Sequence, residues 1–288
     1  MSSSNSHFMH IDAFIPAEMA ELAEEVGVKK TNLPRGIMFL LAVLAGAFIA
    51  LGAIFSTTVT AGMAGQLPFG VVKLLGGLTF CLGLILVVVA GAELFTGNNL
   101  RVMALASGKI TVNQLLVSWI IVFVGNFVGS VATALFILAS CQYMHGNGSV
   151  GLNALTIATG KCQLAFFQAF TLGILCNALV CLAVWLCYSA RSTTDKILSI
   201  LFPITAFVAA GFEHSVANMY FIPVGIFIKS YAPATFWEAV GKSSLDYGAL
   251  NWNNFLLGNL LPVTLGNIFG GAAMVGLVYW YIYRRKTA

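Results

Sequence analysis

The chain has 288 residues, only 8% of them charged, and a mean hydropathy of +0.91. About a quarter of the residues in an ordinary soluble domain are charged, so this composition excludes that class. No charge occurs between Arg35 and Lys73, between Lys109 and Lys161, or between Asp246 and Arg284. Uncharged stretches this long are candidates for crossing a bilayer, which takes roughly 20 residues each.

Residues 1–36 form a separate N-terminal element, predicted to be a cytoplasmic amphipathic helix. Pro16 and the early acidic residues favour a helix start, and Gly27 is a plausible stop. One side is acidic, and the other is apolar at helical spacing. This pattern is typical of an anchor on the membrane surface, with a pH-dependent cytoplasmic gate as the alternative.

Six membrane spans follow in the channel domain, residues 37–283, before a basic cytoplasmic tail, residues 284–288. They are predicted at 37–59, 70–94 (then a half-helix at 97–107), 112–140, 163–190, 197–211 (then a half-helix at 216–229) and 255–282. The sequence therefore predicts an all-α membrane protein with both termini in the cytoplasm.

The distribution of lysine and arginine supports this orientation. With the N-terminus inside, ten basic residues face the cytoplasm and four face outward, as the positive-inside rule requires. The ten are Lys29, Lys30, Arg35, Arg101, Lys109, Arg191, Lys196, Arg284, Arg285 and Lys286, and the four are Lys73, Lys161, Lys229 and Lys242. Topology thus explains the net charge of +4 better than a nucleic-acid partner does.

Two polar interruptions repeat the pattern G-x-E-x4-N, at residues 91–98 and 211–218. Each is followed by the pattern G-N-x-x-G, at residues 125–129 and 266–270. Because each half has three spans, the second half must enter the membrane in the opposite direction, which predicts a 3+3 inverted repeat with helices 2 and 5 broken. Asn126 and Asn267 can bond backbone groups left unpaired at the breaks, and the glycines permit close packing.

His214 is the most informative single residue, because ionisable groups at membrane depth are rare and default to functional roles. Thr96 supplies a hydroxyl at the other interruption, next to helix N–H groups that favour anions. Together they predict the centre of an anion path. Glu93 and Glu213 would repel an anion and are interpreted as bonding loop backbone N–H groups. Large apolar residues near the breaks are candidates for narrow gates: Phe80, Leu84, Leu94, Phe95, Val180 and Phe207.

The six cysteines lack metal-ligand spacing and are predicted to be small buried hydrophobic residues. A disulfide between Cys141 and Cys162 stays open as an alternative. We expect no metal and no cofactor.

Three segments together resemble the formate/nitrite transporter family. They are Glu93–Gly97 (ELFTG), Gly211–Met219 (GFEHSVANM) and Leu172–Asn177 (LGILCN). The resemblance extends from about Asp12 to Arg285, nearly the whole chain.

This resemblance implies an aquaporin-like fold, assembled as a homopentamer with one pore per protomer in the bacterial inner membrane. It implies a pore centre at Thr96 and His214. It places one constriction at Phe80 and Phe207 on the periplasmic side and another on the cytoplasmic side, at Leu84, Leu94, Phe95 and Val180. Lys161 is the implied vestibule lysine, and Asn177 and Asn267 are the implied supporting asparagines.

The function expected from these residues is passage of formate and similar small anions, with pH-dependent proton coupling through His214. A nitrite or hydrosulfide channel is the alternative within the family. An intramembrane enzyme is a remote alternative, because no HExxH or GxSxG motif is present.

Overall fold

The computed structural model describes residues 12–285, and these residues form helices and loops with no strand. The helices are α1 Pro16–Thr31, α2 Arg35–Thr60, α3 Phe69–Val89, α4 Val102–Ala106, α5 Val112–Ala139, α6 Ser149–Cys162, α7 Phe166–Ser189, α8 Thr193–Ala209, α9 Ser215–Tyr231, α10 Ala234–Val240 and α11 Asn254–Tyr283. A 3₁₀ turn, Gly97–Arg101, precedes α4, and α11 contains two π-helical stretches. Residues 1–11 of the predicted N-terminal element, and Lys286 with the last two residues of the tail, lie outside the described range.

Helix α1 begins at Pro16 as predicted but continues past Gly27 to Thr31, so the predicted stop is wrong. Gly27 is buried inside the helix instead, and it sits close to Ala104, since a Cβ at Gly27 would lie 3.2 Å from the Ala104 side chain. The apolar face of α1 packs on the rest of the protein in a cluster of Met19, Ala20, Ala23, Met103 and Trp185. The surface-anchor interpretation is therefore replaced by a helix docked on the protein body.

Among the described residues, five helices are long and apolar enough to cross a membrane: α2, α3, α5, α7 and α11. Their bounds agree with the predicted spans within a few residues, except at the end of the second. Helix α3 ends at Val89 and not at residue 94, because Gly91 adopts a left-handed conformation with φ of 82°. Helices α8 and α9 have 17 residues each.

The helices pack in two sets. Helix α2 packs against α3 and α5, α7 packs against α8 and α11, and α3 meets α8 between the sets. Glycines allow the close approaches: a Cβ at Gly129 would collide with the Val43 carbonyl oxygen, and one at Gly270 with that of Ile174. Both glycines end a G-N-x-x-G motif, so this pattern fixes helix separation in both sets.

The segments after α3 and α8 have the same geometry. Gly91 and Gly211 have φ of 82° and 73°, and the next residue donates its N–H back into the helix. The N–H of Ala92 reaches the Val87 carbonyl at 2.9 Å, and that of Phe212 reaches the Phe207 carbonyl at 3.0 Å. In both segments, the left-handed glycine and the hydrogen bond after it turn the chain away from the helix axis.

All six cysteines are free thiols. Cys141 is exposed and the other five are buried. The alternative of a disulfide between Cys141 and Cys162 is therefore wrong.

Candidate functional site

Thr96 and His214 meet in the protein interior, where 0% and 3% of their respective surfaces are exposed. The Thr96 Oγ1 and His214 Nε2 atoms are 2.9 Å apart. The His214 Nδ1 atom accepts the backbone N–H of Ala217 at 3.0 Å and so caps α9. In the neutral ring this bond assigns the proton to Nε2, which donates to the Thr96 hydroxyl.

Two asparagines hold the backbone on either side of this pair. The Asn126 amide accepts the N–H of Phe95 at 2.9 Å and donates to the carbonyl of Glu93 at 2.9 Å. Asn267 accepts the N–H of Ser215 at 2.9 Å and donates to the carbonyl of Glu213 at 2.9 Å. These contacts are the amide-to-backbone bonds that the G-N-x-x-G motifs predicted.

Asn177 joins the two loops. Its Nδ2 donates to the carbonyl of Thr96 at 3.2 Å and to that of Asn267 at 2.7 Å, and it contacts Asn99 Oδ1 at 2.8 Å. Because Asn267 binds the loop that carries His214, Asn177 connects the backbones of both central residues.

Glu93 bonds side chains and not the backbone N–H groups that the sequence interpretation expected. Its carboxylate lies 2.5 Å from Arg101 Nη2, 3.2 Å from Lys30 Nζ and 2.8 Å from Asn98 Nδ2. Two cations therefore neutralise a carboxylate of which 4% is exposed.

Glu213 has the equivalent arrangement with one cation. Lys161 Nζ lies 2.7 Å from its carboxylate, and the amides of Asn218 and Asn259 lie at 2.7 and 3.2 Å. Asn259 also donates to the carbonyl of Lys161 at 2.9 Å. The lysine is thus held at the carboxylate by both its side chain and its backbone.

The predicted constriction residues are all buried, and one of them, Phe207, adjoins His214. The rings of Phe80 and Phe207 meet edge to face with centroids 5.7 Å apart, and Phe207 stacks on His214 at 5.9 Å. Phe95 packs edge to face against Phe123 at 5.0 Å and Trp119 at 6.1 Å. The remaining three, Leu84, Leu94 and Val180, are at most 3% exposed.

Two open cavities approach this region. One of 820 Å³ reaches Phe80, Phe207, His214, Glu213 and Lys161. The other, of 680 Å³, reaches Leu84, Leu94 and Glu93. Neither cavity is lined by a further group of buried residues, each at most 3% exposed: Thr96, Phe95, Val180, Asn177 and Asn267.

The sequence interpretation missed three members of this network: Lys30, Arg101 and Asn259. In the sequence Arg101 counts only toward the topology, although an arginine eight residues after Glu93 is one signal for a partner. Asn259 stands in an uncharged span, where a buried amide needs partners, but its sequence position does not say which. Within residues 12–285, no group of three or more His, Cys, Asp or Glu side chains could hold a metal ion.

Comparison with known proteins assigns the chain to a family. The family model for formate/nitrite transporters matches residues 17–281. The chain is 49% identical over 276 residues to "Formate channel FocA" of Escherichia coli strain K12, covering 96% of both chains. It is 41% identical to "Probable formate transporter" of Methanothermobacter thermautotrophicus, covering 94% of this chain and 97% of that one.

Comparison with solved structures gives the same family. "Pentameric formate channel with formate bound" matches with a TM-score of 0.83 and 49% identity, covering 87% of this chain and 98% of that chain. "FNT family ion channel" matches with a TM-score of 0.76 and 31% identity, covering 93% and 98%. A match over nearly the full length, in sequence and in fold, places this chain in the formate/nitrite transporter family.

Proposed function

We propose that this protein is a channel that moves formate and similar small monovalent anions across the bacterial inner membrane. The observation that carries the proposal is the buried Thr96–His214 contact of 2.9 Å between two cavities, in a chain of this family. A hydroxyl and an imidazole offer hydrogen bonds to an anion inside the protein, where burying a charge without such partners is costly. The family consists of transporters, so the intramembrane-enzyme alternative is set aside.

The architecture we propose has six spans in a 3+3 inverted repeat with an aquaporin-like arrangement. Helix 2 consists of α3 followed by the 3₁₀ turn and α4, and helix 5 consists of α8 followed by α9. The paired contacts of Asn126 and Asn267, and of Glu93 and Glu213, support this equivalence. Polar backbone at membrane depth is tolerated where such groups satisfy it.

We assign residues 1–36 to a cytoplasmic N-terminal segment, 37–283 to the channel and 284–288 to a cytoplasmic tail. The ten-to-four division of basic residues supports this orientation. The 680 Å³ cavity beside α1 then opens to the cytoplasm, and the 820 Å³ cavity opens to the periplasm.

The path runs between these cavities. Phe80 and Phe207 form the periplasmic constriction, and Leu84, Leu94, Phe95 and Val180 form the cytoplasmic one. Lys161 lies at the base of the periplasmic cavity and attracts the anion. The ion pair with Glu213 holds the lysine side chain in this position. Apolar constrictions exclude hydrated ions, because they offer nothing to replace the water.

Proton coupling is proposed to pass through His214. An anion beside the ring favours the imidazolium, because opposite charge stabilises the charged form. The second proton must go to Nδ1, which already accepts the Ala217 N–H. Protonation therefore requires that the ring leave the N-terminus of α9. A formate that takes a proton crosses the apolar residues as neutral formic acid and avoids several kcal/mol of ion desolvation.

We propose a homopentamer with a pore in each protomer. The similar solved structure titled as a pentameric formate channel supports this assembly, at 49% identity.

Flux through purified protein in liposomes tests the substrate. Formate, nitrite and hydrosulfide are measured in parallel, each against protein-free liposomes. We expect formate to cross fastest. Faster flux of nitrite or hydrosulfide would favour the alternative, and no flux of any of the three would overturn the channel function.

A further inference from the structure

The cavity beside α1 carries an excess of positive charge that passage of formate does not require. Its lining includes Lys29 and Lys30 of α1, Arg101 of the 3₁₀ turn and Lys196 of α8. Glu93 is the one carboxylate among the residues that line it. The opposite cavity has two lysines, Lys73 and Lys161, against the carboxylate of Glu213, and His214 at its base.

Arg101 lines this cavity and has hydrogen-bonding capacity that no group among residues 12–285 uses. Its side chain is 2% exposed, and Nη2 binds Glu93. Among residues 12–285, its Nε and Nη1 atoms have no hydrogen-bond partner. Buried guanidinium donors without acceptors are costly, so such a group calls for an acceptor. Both atoms are buried, so a ligand in the cavity reaches them only after the guanidinium turns toward it. A planar oxyanion then fits, because the guanidinium presents parallel N–H groups to two oxygens.

The size and charge of the cavity fit a ligand larger than formate. Its 680 Å³ lies within the range of about 300–1,000 Å³ that is typical of sites for organic ligands. Four cationic groups from three separate segments, against one carboxylate, match two or more negative charges better than one.

We propose that this cavity binds a small anion with at least two negative charges, with the chemistry shared by a dicarboxylate and inorganic phosphate. Arg101 and Lys30 bind the ligand at the base of the cavity. Lys29 and Lys196 supply the further positive charge that balances a dianion. Leu84 and Leu94 line the same cavity, and a dianion cannot shed its water there. The bound dianion therefore stays in the cavity and blocks formate. This block rests on the proposed function, whereas the binding does not.

Calorimetry of the purified full-length protein tests the binding. The probes are malonate and inorganic phosphate at a pH where both are dianions, with acetate as the monovalent reference. We expect dianion binding that weakens as KCl is raised, and acetate binding that is weaker by an order of magnitude or more. The ranking of malonate and phosphate identifies which source of the dianion the site prefers.

The double variant Lys29→Gln/Lys196→Gln should weaken dianion binding on the order of tenfold, because two charges facing the ligand are lost. The matched variant Lys29→Arg/Lys196→Arg keeps both charges and should retain binding. Lys73→Gln, in the opposite cavity, should also leave dianion binding unchanged. Inhibition of formate flux by malonate should shift by the same factor as binding.

The outcomes separate the two proposals. Dianion binding with the expected variant pattern, but without formate flux, would sustain this site and overturn the proposed function. Formate flux together with no dianion binding, or with binding equal in the Gln and wild-type proteins, would overturn this site alone.

Discussion

Asn126 and Asn267 make the same pair of hydrogen bonds in two different parts of the chain. Each amide accepts a backbone N–H, from Phe95 or Ser215, and donates to the carbonyl two residues earlier, of Glu93 or Glu213. Both side chains are fully buried. Each asparagine therefore closes the backbone of the loop that carries Thr96 or His214.

Asn126→Leu and Asn267→Leu should each destabilise the protein. Leucine fills a similar volume but leaves a buried N–H and a buried C=O unpaired, at about 1–3 kcal/mol per group. Thermal unfolding in detergent measures the loss. Asn113→Leu, at an exposed position of α5, serves as the control and should unfold near the wild-type temperature. Equal melting temperatures in all four proteins would refute the closing role of the two amides.

His214→Asn should abolish the pH dependence of formate flux. Asparagine keeps size and hydrogen bonding to Thr96 but has no proton to exchange. In the wild type, low external pH reloads the histidine and makes uptake proton-linked, whereas higher pH favours movement of the anion and efflux. Flux in liposomes over a range of external pH measures this, with His145→Asn, at an exposed loop position, as the control. Wild-type pH dependence in His214→Asn would make the histidine structural only.

Potassium flux through the purified protein should be negligible under conditions in which formate crosses. Neither apolar constriction replaces the hydration of an ion, and the positive N-terminal end of a helix beside an imidazole offers a cation no stabilisation. Potassium and formate fluxes are measured on the same liposomes. A substantial potassium current would remove the anion-channel proposal.

Glu24→Gln should lower stability near neutral pH and have little effect in acid. Burial alone would raise the pKa of Glu24, but hydrogen bonds from Arg284, Lys109 and Ser107 outweigh it and hold the pKa below the ordinary value of 4.5. The carboxylate lies 2.6 Å from Lys109 Nζ and 3.1 Å from Arg284 Nε. A depressed pKa contributes stability above the unfolded value, and this contribution is lost as the pH falls through the folded value.

Melting temperatures of wild type and Glu24→Gln, measured from neutral to acidic pH, test this. The difference in unfolding free energy behind these temperatures, at most about 3–5 kcal/mol for breaking a buried ion pair, should shrink as the pH falls below 4.5. Glu25→Gln, at an exposed position of the same helix, should differ little from wild type at any pH. A difference that persists unchanged in acid would rule out the ionised carboxylate as its source.

The sequence by itself determined the helical, membrane-embedded character of the chain and the equivalence of its two polar loops. The length of apolar stretches and the spacing of charges are local properties of the sequence. The paired G-x-E-x4-N and G-N-x-x-G motifs indicate where helices break and backbone groups need partners. The amide contacts of Asn126 and Asn267 were predictable for this reason. The end of α3 at Val89 was not, because the apolar pattern continues across Gly91 and only its backbone conformation stops the helix.

Only the tertiary structure decided which groups meet across the chain. The sequence predicts that Glu93 binds backbone N–H groups, yet helix packing brings Arg101 and Lys30 to its carboxylate. Lys30 belongs to α1, the helix that the sequence predicts to lie on the membrane surface. Glu213 receives Lys161 from 52 residues away, and Thr96 meets His214 across 118 residues. No local periodicity encodes such pairs, because they depend on how close the glycine contacts let separate helices approach.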